Sequence, residues 1–403
     1  MNVLISGASI AGPTLAYWLH RYGFRVTVVE RAPALRKAGG HAVDLFAPAL
    51  NIVEQMGLLE RVQERHTGTE RISVWREGAR GPATIDLGRL MGAISRRHVE
   101  IMRDDLGEIL HSATADDVEY VFGDSVTSIS ADGEVTFEQS APRRFDLVVG
   151  ADGLHSRVRR LTFGPEPGLT RWLGAYLAVA SIPNYRELRD TMAVVVGIGR
   201  LAGMYSARHM SDARALFLFR PAGELHLDHH DVEAQRQLLR RAFADVDGEV
   251  PRLLVETDRA DAFYFDSVTQ LCLDGWSRGR VALVGDAGYC PGPAVGGSTS
   301  LAVVGAFTLA GELGLARGEH TAAYPAYERA LGGYVRASRA FAAKMANRLV
   351  PRTRAQLWAL TAGTRLLTAV PAPLMRSLTR RGGRLGLHDS VRPKDYPALV
   401  ARA

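Results

Sequence analysis

The stretch Gly7-Ala8-Ser9-Ile10-Ala11-Gly12 constrains this chain more than any other. It follows the short apolar run Val3 to Ile5, opens a segment with helical spacing from Ala11 to Tyr22, and is answered by a second apolar run, Arg25 to Val29, that ends at Glu30. A buried strand, a glycine turn, a helix and a second strand at these distances form a parallel strand-helix-strand unit. The turn at Gly7 brings backbone close to a pyrophosphate, the helix N-terminus aims N–H groups at phosphate oxygens, and an acid ending the second strand suits ribose hydroxyls. Pro13 fits the first helical turn, where a missing N–H costs nothing. Ser9 stands where the usual fingerprint has a glycine; its β-carbon narrows the approach, while its hydroxyl can donate to a phosphate oxygen. A glycine turn alone also suits a tight turn without a ligand. Strand, helix, proline and acid together favour a dinucleotide.

Hydrophobic residues at 47% and charged residues at 23% give a chain of 403 residues ample material for a core, and one or two domains are expected. The formal charge of +6 comes almost wholly from arginine, since lysine occurs only at Lys37, Lys344 and Lys394. The arginines are scattered and no basic run is interleaved with stacking aromatics, so nucleic acid binding is not expected. The arginine-rich stretch from Arg376 to Arg384 reads as a solvated terminal face. Cys272 and Cys290 are too few for a disulfide framework, which fits a reducing cytoplasm. The apolar stretch Leu301 to Ala316 carries Glu312 and is short for a bilayer, so no membrane association is expected. His41, His209, His229 and His230 fall at no metal-ligand spacing, and no Gly-x-Ser-x-Gly elbow marks a hydrolase.

Farther along, segments of doubly wound character alternate with sheet-like ones. Ile72 to Trp75, Ala83 to Leu87, Leu173 to Ile182, Met192 to Val196 and Ala215 to Phe219 read as strands, with one helical insert from Val232 to Phe243. From residue 299 onward the pattern is helical to the end, broken at Pro351 and Pro371. The expected fold class is α/β: a discontinuous Rossmann-type domain (1–70, 91–171 and 276–345), an inserted, mainly antiparallel β-sheet domain (71–90 and 172–275), and C-terminal helices (346–403). A second glycine cluster, Gly197 to Gly203, lacks the acid-marked second strand that a separate nucleotide domain needs.

Two more strands end in small-residue turns with an aspartate, where open α/β sheets bind ligands. One is Asp146-Leu147-Val148-Val149-Gly150-Ala151-Asp152-Gly153-Leu154-His155-Ser156-Arg157-Val158-Arg159. The other is Val281-Ala282-Leu283-Val284-Gly285-Asp286-Ala287-Gly288, followed by Pro293-Ala294-Val295-Gly296-Gly297-Ser298 at a helix start. Alone, each aspartate suits a turn or helix cap equally well. In this order the three motifs, over residues 1 to 345, resemble the class A FAD-dependent monooxygenases of the para-hydroxybenzoate hydroxylase type, near the tetracycline-inactivating monooxygenases.

The resemblance implies that the Gly7, Ser9 and Gly12 turn cradles the FAD pyrophosphate and that Glu30, with Arg31 beside it, holds the adenosine end. It implies that Arg103 reaches the phosphate and ribityl region, that Asp152 and Gly153 serve FAD and the pyridine nucleotide, and that Asp286 holds the ribityl chain. Pro293, Gly296, Gly297 and Ser298 would line the flavin edge, and Arg36 and Asp44 would face NADPH and FAD respectively. Two departures stand out: Gly288-Tyr289 replaces a common Ala-His, and Ser298 replaces a glycine. The implied activity is NADPH-dependent (or NADH-dependent) hydroxylation by O2 through a flavin C4a-hydroperoxide, in a monomer or homodimer. Oxidation or reduction without oxygen insertion, and a non-catalytic FAD-binding partner, are the alternatives. The inserted sheet should supply the substrate pocket, with Tyr176, Tyr205, Arg208 and Phe219 as candidates for an electron-rich, polycyclic aromatic substrate. An inward-facing Arg200, Arg208, Arg214 or Arg220 would favour a small aromatic carboxylate instead.

Overall fold

A computed structural model describes residues 1–35, 39–166, 168–225, 228, 231–293, 297–369 and 391–396. The chain opens with β1 (Asn2–Ser6), α1 (Ala11–Arg21), β2 (Arg25–Glu30), β3 (Ala42–Phe46), α2 (Ala47–Gln55) and α3 (Leu59–Glu64). A hairpin, β4 (Arg71–Arg76) and β5 (Ala83–Asp86), leads through α4 (Leu87–Ile94) to β6 (His98–Met102) and α5 (Arg103–Ser112). Short strands β7 (Glu119–Phe122), β8 (Val126–Ile129), β9 (Glu134–Phe137) and β10 (Arg143–Arg144) precede β11 (Leu147–Gly150) and α6 (Arg157–Phe163). Then come β12 (Thr170–Pro183), β13 (Thr191–Gly197), β14 (Arg200–Tyr205), β15 (Asp212–Phe219), α7 (Val232–Phe243), α8 (Val250–Arg259) and β16 (Phe263–Leu271). The remainder is β17 (Ser277–Arg278), β18 (Val281–Leu283), α9 (Asp286–Tyr289), α10 (Ser298–Leu315), α11 (His320–Leu349) and α12 (Arg354–Ala369).

The first sheet runs β17-β18-β11-β1-β2-β7, and its pairs are parallel except β17 with β18. Val3, Leu4, Ile5, Leu147, Val148 and Val149 have at most 1% exposure within the first core, so these strands read as continuous apolar runs. Helix α10 is buried from Ser300 to Gly314. By length and composition it can cross a membrane, yet here it forms the core of the first domain, which explains why it is apolar on every side.

The second sheet runs β16-β12-β15-β14-β13-β4-β5, antiparallel except where β13 meets β4. Tyr176, Ala178, Phe217 and Phe219 project from one face onto α7 and α8. Leu177, Val179, Val194, Leu218 and Val268 project from the other toward α11 and α12. Strand alternation makes this division, since neighbouring residues point to opposite faces. Helix α8, with a proline in its first turn, is a second helical insert beyond the single one expected.

A two-stranded ribbon, β3 with β6, joins the layers. Val43, Leu45 and Ile101 enter the first core, while Met102 on the other face packs with Tyr205 and Ala207 of the second domain. Ala42, Asp44, Phe46, His98 and Glu100 share that other face by strand alternation and cross-strand register.

Residues 391–396 are not helical, contrary to the expectation of helix to the chain end. They cross α10, where Lys394 Nζ and Tyr396 Oη both meet the carboxylate of Glu312, whose side chain is 6% exposed. The Tyr396 ring lies edge-on to Phe307 and fills the space above Gly311. Lys394→Met leaves this buried carboxylate, among the described residues, with the Tyr396 hydroxyl as donor, and is expected to lower stability by about 1–3 kcal/mol. Urea denaturation of the FAD-loaded protein checks this, with an unchanged midpoint as the contrary result.

Candidate active site

The C-terminal ends of β1, β11 and β18 lie side by side, and backbone geometry at each forces the loops together. Gly7 has φ +111°, donates its N–H to Val29 O at 2.8 Å, and lies so close to the next loop that a Cβ would stand 2.5 Å from Ala151 O. A Cβ at Gly12 would stand 1.9 Å from Gly7 O. Gly7 is therefore demanded by contact as well as by conformation, and Gly12 by contact. Gly285, at φ +66°, sets the third loop against the start of α1, where a Cβ on it would stand 3.0 Å from the Ala11 side chain.

Among the described residues no side chain caps α1 or α10, whose first turns offer N–H groups to an anion. Glu30 accepts from Ala8 N and Ala32 N, both at 2.9 Å, which fixes its carboxylate against the turn. Arg103 Nη2 donates to Ser9 Oγ at 3.0 Å, so the serine that departs from the fingerprint is the contact that brings a cation to the turn. Arg31 is exposed beside Glu30. Asp286 accepts from Ser298 Oγ at 2.5 Å, tying the third loop to α10, and Gly297 takes the left-handed conformation (φ +89°) at the N-cap. Pro293 lies in the turn before it, while Arg36 and Gly296 fall outside the described residues.

Asp152 lies in the loop that follows β11. Its carboxylate accepts from Ser156 Oγ, from Arg157 N at 2.8 Å and from Val158 N at 3.1 Å, closing the first turn of α6, and burial pushes its pKa up. Gly153 follows with φ +83°. Arg159, 1% exposed, donates to Ala287 O at 3.1 Å and to Leu154 O, joining the second motif to the third. Tyr289 points away from the loops into the core, where Tyr327 Oη donates to its hydroxyl at 3.1 Å. Gly305 provides the room, since a Cβ there would lie 1.9 Å from the Tyr289 hydroxyl.

Of the four substrate candidates, Tyr205 alone lies on the face toward the β3–β6 ribbon, and its hydroxyl accepts from Ala42 N at 2.8 Å. Tyr176 and Phe219 are core residues of the opposite face, stacked with each other, and Tyr176 Oη is satisfied by Leu225. Arg208 is half-exposed and paired with Glu70. The even or odd strand position decides such placements, and composition does not reveal it.

Several groups between the layers escape sequence reasoning because their partners are distant in the chain. His98 Nε2 lies 2.7 Å from Asp44 Oδ1. Glu100, opposite Asp44 in the ribbon, is raised in pKa by burial and by the Asp44 charge. Burial, then the charge of Arg103, pushes His41 down to about 4, and its ring faces that of Tyr264. Tyr264 Oη donates to Asp266 Oδ2 at 3.1 Å, and His155 lies 3.3 Å from both Asp266 and Glu166.

The hydrogen bonds of His155 with these two carboxylates raise it to about 10 from 6.5. A folded pKa above the unfolded one means that the contribution to stability is complete below about pH 6.5 and is lost as pH rises through about 10. His155→Gln is expected to remove that part of the alkaline destabilisation. Urea midpoints of parent and variant at pH 6 and 10 check it, and equal alkaline losses count against the clasp.

This donor set fits FAD: an uncapped helix and a cation at one turn, a carboxylate at the second strand end, and a further carboxylate beside a second uncapped helix. Comparison with known proteins agrees. Residues 1–348 match the FAD binding domain family. An uncharacterised protein of Mycobacterium tuberculosis is 45% identical over 339 residues, 83% of this chain and 90% of that protein. A flavin-dependent monooxygenase of Legionella longbeachae is 37% identical over 344 residues, 85% of this chain and 87% of its own. The crystal structure of tetracycline destructase Tet(51) superimposes with a TM-score of 0.82 at 32% identity, covering 98% of this chain and 99% of that one. Because the match spans both sheets and nearly all of α11 rather than the glycine turn alone, the chain belongs to the FAD binding domain family, and it is a FAD-dependent monooxygenase.

Proposed function

We propose that this monooxygenase consumes NADPH, or NADH, and hydroxylates an electron-rich, polycyclic aromatic small molecule between the β3–β6 ribbon and the second sheet. One observation carries the substrate class: the four arginines considered as anchors for a small aromatic carboxylate, Arg200, Arg208, Arg214 and Arg220, are all engaged elsewhere. Arg200 pairs with Glu77 and Asp245, Arg208 with Glu70, and Arg214 with Asp212 and Gly40 O. Arg220 donates to the carbonyls of Gly174, Ala346 and Val350. What faces the ribbon is instead Met192, Tyr205 and Leu216, packed on Met102. An apolar wall with few polar groups suits a flat, multi-ring ligand, in keeping with the name of tetracycline destructase Tet(51).

When bound, FAD supplies the electron transfer and the activation of O2. The chain's own residues hold and shield it. The Gly7, Ser9 and Gly12 turn with α1 and Arg103 receives the pyrophosphate, Glu30 the ribose, and Asp286 the ribityl hydroxyls. Pro293, Gly297 and Ser298 set the flavin edge against the N-terminus of α10, where a positive dipole end favours negative charge. Asp152 and Gly153 act indirectly, by shaping α6 and the loop that touches Gly7.

Asp286→Ala removes an acceptor without removing core volume, so FAD occupancy is expected to fall while the folded fraction holds. Equal occupancy counts against this role. For the reaction itself, the FAD-loaded enzyme is offered NADPH or NADH with labelled O2 and either tetracyclines and hydroxyanthraquinones or simple hydroxybenzoates. Stimulated consumption with label in a polycyclic product is expected. Label only in hydroxybenzoates reverses the substrate class, and consumption with no label in any product reverses oxygen insertion.

A further inference from the structure

The ribbon face that meets the second domain carries a polar pair: Asp44, which the resemblance sets toward FAD, and His98, which no cofactor assignment uses. His98 begins β6, and Asp44 lies diagonally across on β3, with His98 Nε2 and Asp44 Oδ1 2.7 Å apart. The pair is neither sealed nor at the surface, since the His98 side chain is 15% and the Asp44 side chain 29% exposed. It lies beside the start of α10. Ser300 Oγ donates to Asp44 O at 3.0 Å and accepts from Phe46 N at 2.9 Å, so β3 is pinned to the first turn of the helix assigned to the flavin edge. The Phe46 ring, 5.5 Å from the imidazole, limits its rotation.

A carboxylate on Nε2 sets the tautomer: Nε2 carries the proton and donates to Asp44, leaving the Nδ1 lone pair as a base. Among the described residues, Nδ1 has no hydrogen-bond partner. An aspartate behind an imidazole steadies the imidazolium that forms when the free nitrogen takes a proton. Among the described residues, the groups that act on Asp44 include Glu100 beside it and His41 at the far end of the ribbon, with Arg103 next to His41 and with Tyr205 and Arg214 of the second sheet near Glu100. Burial, then the Asp44 charge, holds the Glu100 carboxyl above its usual range.

We propose that His98, oriented by Asp44, is the base that accepts the proton of a phenolic or enolic hydroxyl on the bound substrate, and so selects substrates carrying an acidic hydroxyl. The substrate O–H bond breaks with both electrons staying on oxygen, an N–H bond forms at Nδ1, and no oxidant or reductant is needed. An oxygen made anionic this way enriches the ring that is to be oxygenated. The inference rests on the substrate class proposed above, while its readout, ionisation of a bound hydroxyl, is separate from oxygen transfer.

The test uses the oxidised, FAD-loaded enzyme without NADPH and the dye alizarin, whose colour reports ionisation of its hydroxyls. Its dimethyl ether, which cannot ionise, serves as the control. Parent enzyme is expected to lower the apparent pKa of bound alizarin by about one unit or more, roughly tenfold in ionisation constant. His98→Gln, which keeps hydrogen bonding but is not basic, and His98→Phe should both lose the shift at unchanged FAD content. Asp44→Asn should lose part of it. A His98→Gln enzyme that ionises the dye as the parent does, or a parent that leaves saturating dye un-ionised, overturns the proposal. A parent that ionises the dye yet never transfers labelled oxygen supports the proposal while refuting the oxygenation reading.

Discussion

Gly12→Ala is expected to strip the enzyme of FAD. The new methyl would stand 1.9 Å from Gly7 O, inside the hydrogen-bonded turn that the first motif requires, and the obstacle is backbone that cannot swing aside. Relief demands either lifting the turn from Ala151 or displacing the first residues of α1. Overpacking of this kind costs about 1–3 kcal/mol, and when the strain falls on the binding loop it appears as roughly ten- to a hundredfold weaker cofactor affinity. Flavin fluorescence titration of the apoprotein measures it. Parent-like affinity would show that the turn has room to spare and that the pyrophosphate lies elsewhere.

Arg159→Ala is expected to damage folding more than catalysis. The guanidinium is 1% exposed, serves two backbone carbonyls and lies 3.3 Å from Glu166, whose other oxygen faces His155. Removing it leaves Ala287 O and Leu154 O without this donor and takes a cation from a partly buried carboxylate. Breaking a buried pair from one side costs about 3–5 kcal/mol, and the 34% exposure of Glu166 places the loss toward the lower end. The denaturant midpoint of the FAD-loaded protein should fall sharply, while the activity of the remaining folded fraction should stay near that of the parent. A midpoint within experimental error of the parent's would remove Arg159 as the tie between the second and third motifs.

The α/β class and the strand-turn-helix units were legible because their determinants are local. A fully buried parallel strand needs a continuous apolar run, as in Val3 to Ile5 and Leu147 to Val149, and a dinucleotide turn needs glycines at fixed spacing from such a strand. Gly7 and Gly12 could be named without coordinates because the contacts that exclude a side chain lie within one short loop or in the loop of the adjacent strand. The side chains that finish the site were not legible in the same way. Tyr176 and Tyr205 both lie in apolar strands, yet the first stacks under α7 and the second meets the ribbon, and only the pairing of β12, β14 and β15 decides which. Asp152 and Asp286 end similar strands, but one caps its own helix and the other reaches Ser298. Asp44 and His98 are separated by 54 residues and become a pair only when β3 and β6 align. The amino-acid sequence by itself determined which elements form and that a dinucleotide turn opens the chain, because nearest neighbours dictate backbone conformation and apolar period. The tertiary structure alone decided which polar groups face the space between the layers, because sheet register and layer packing bring together residues that no local pattern relates.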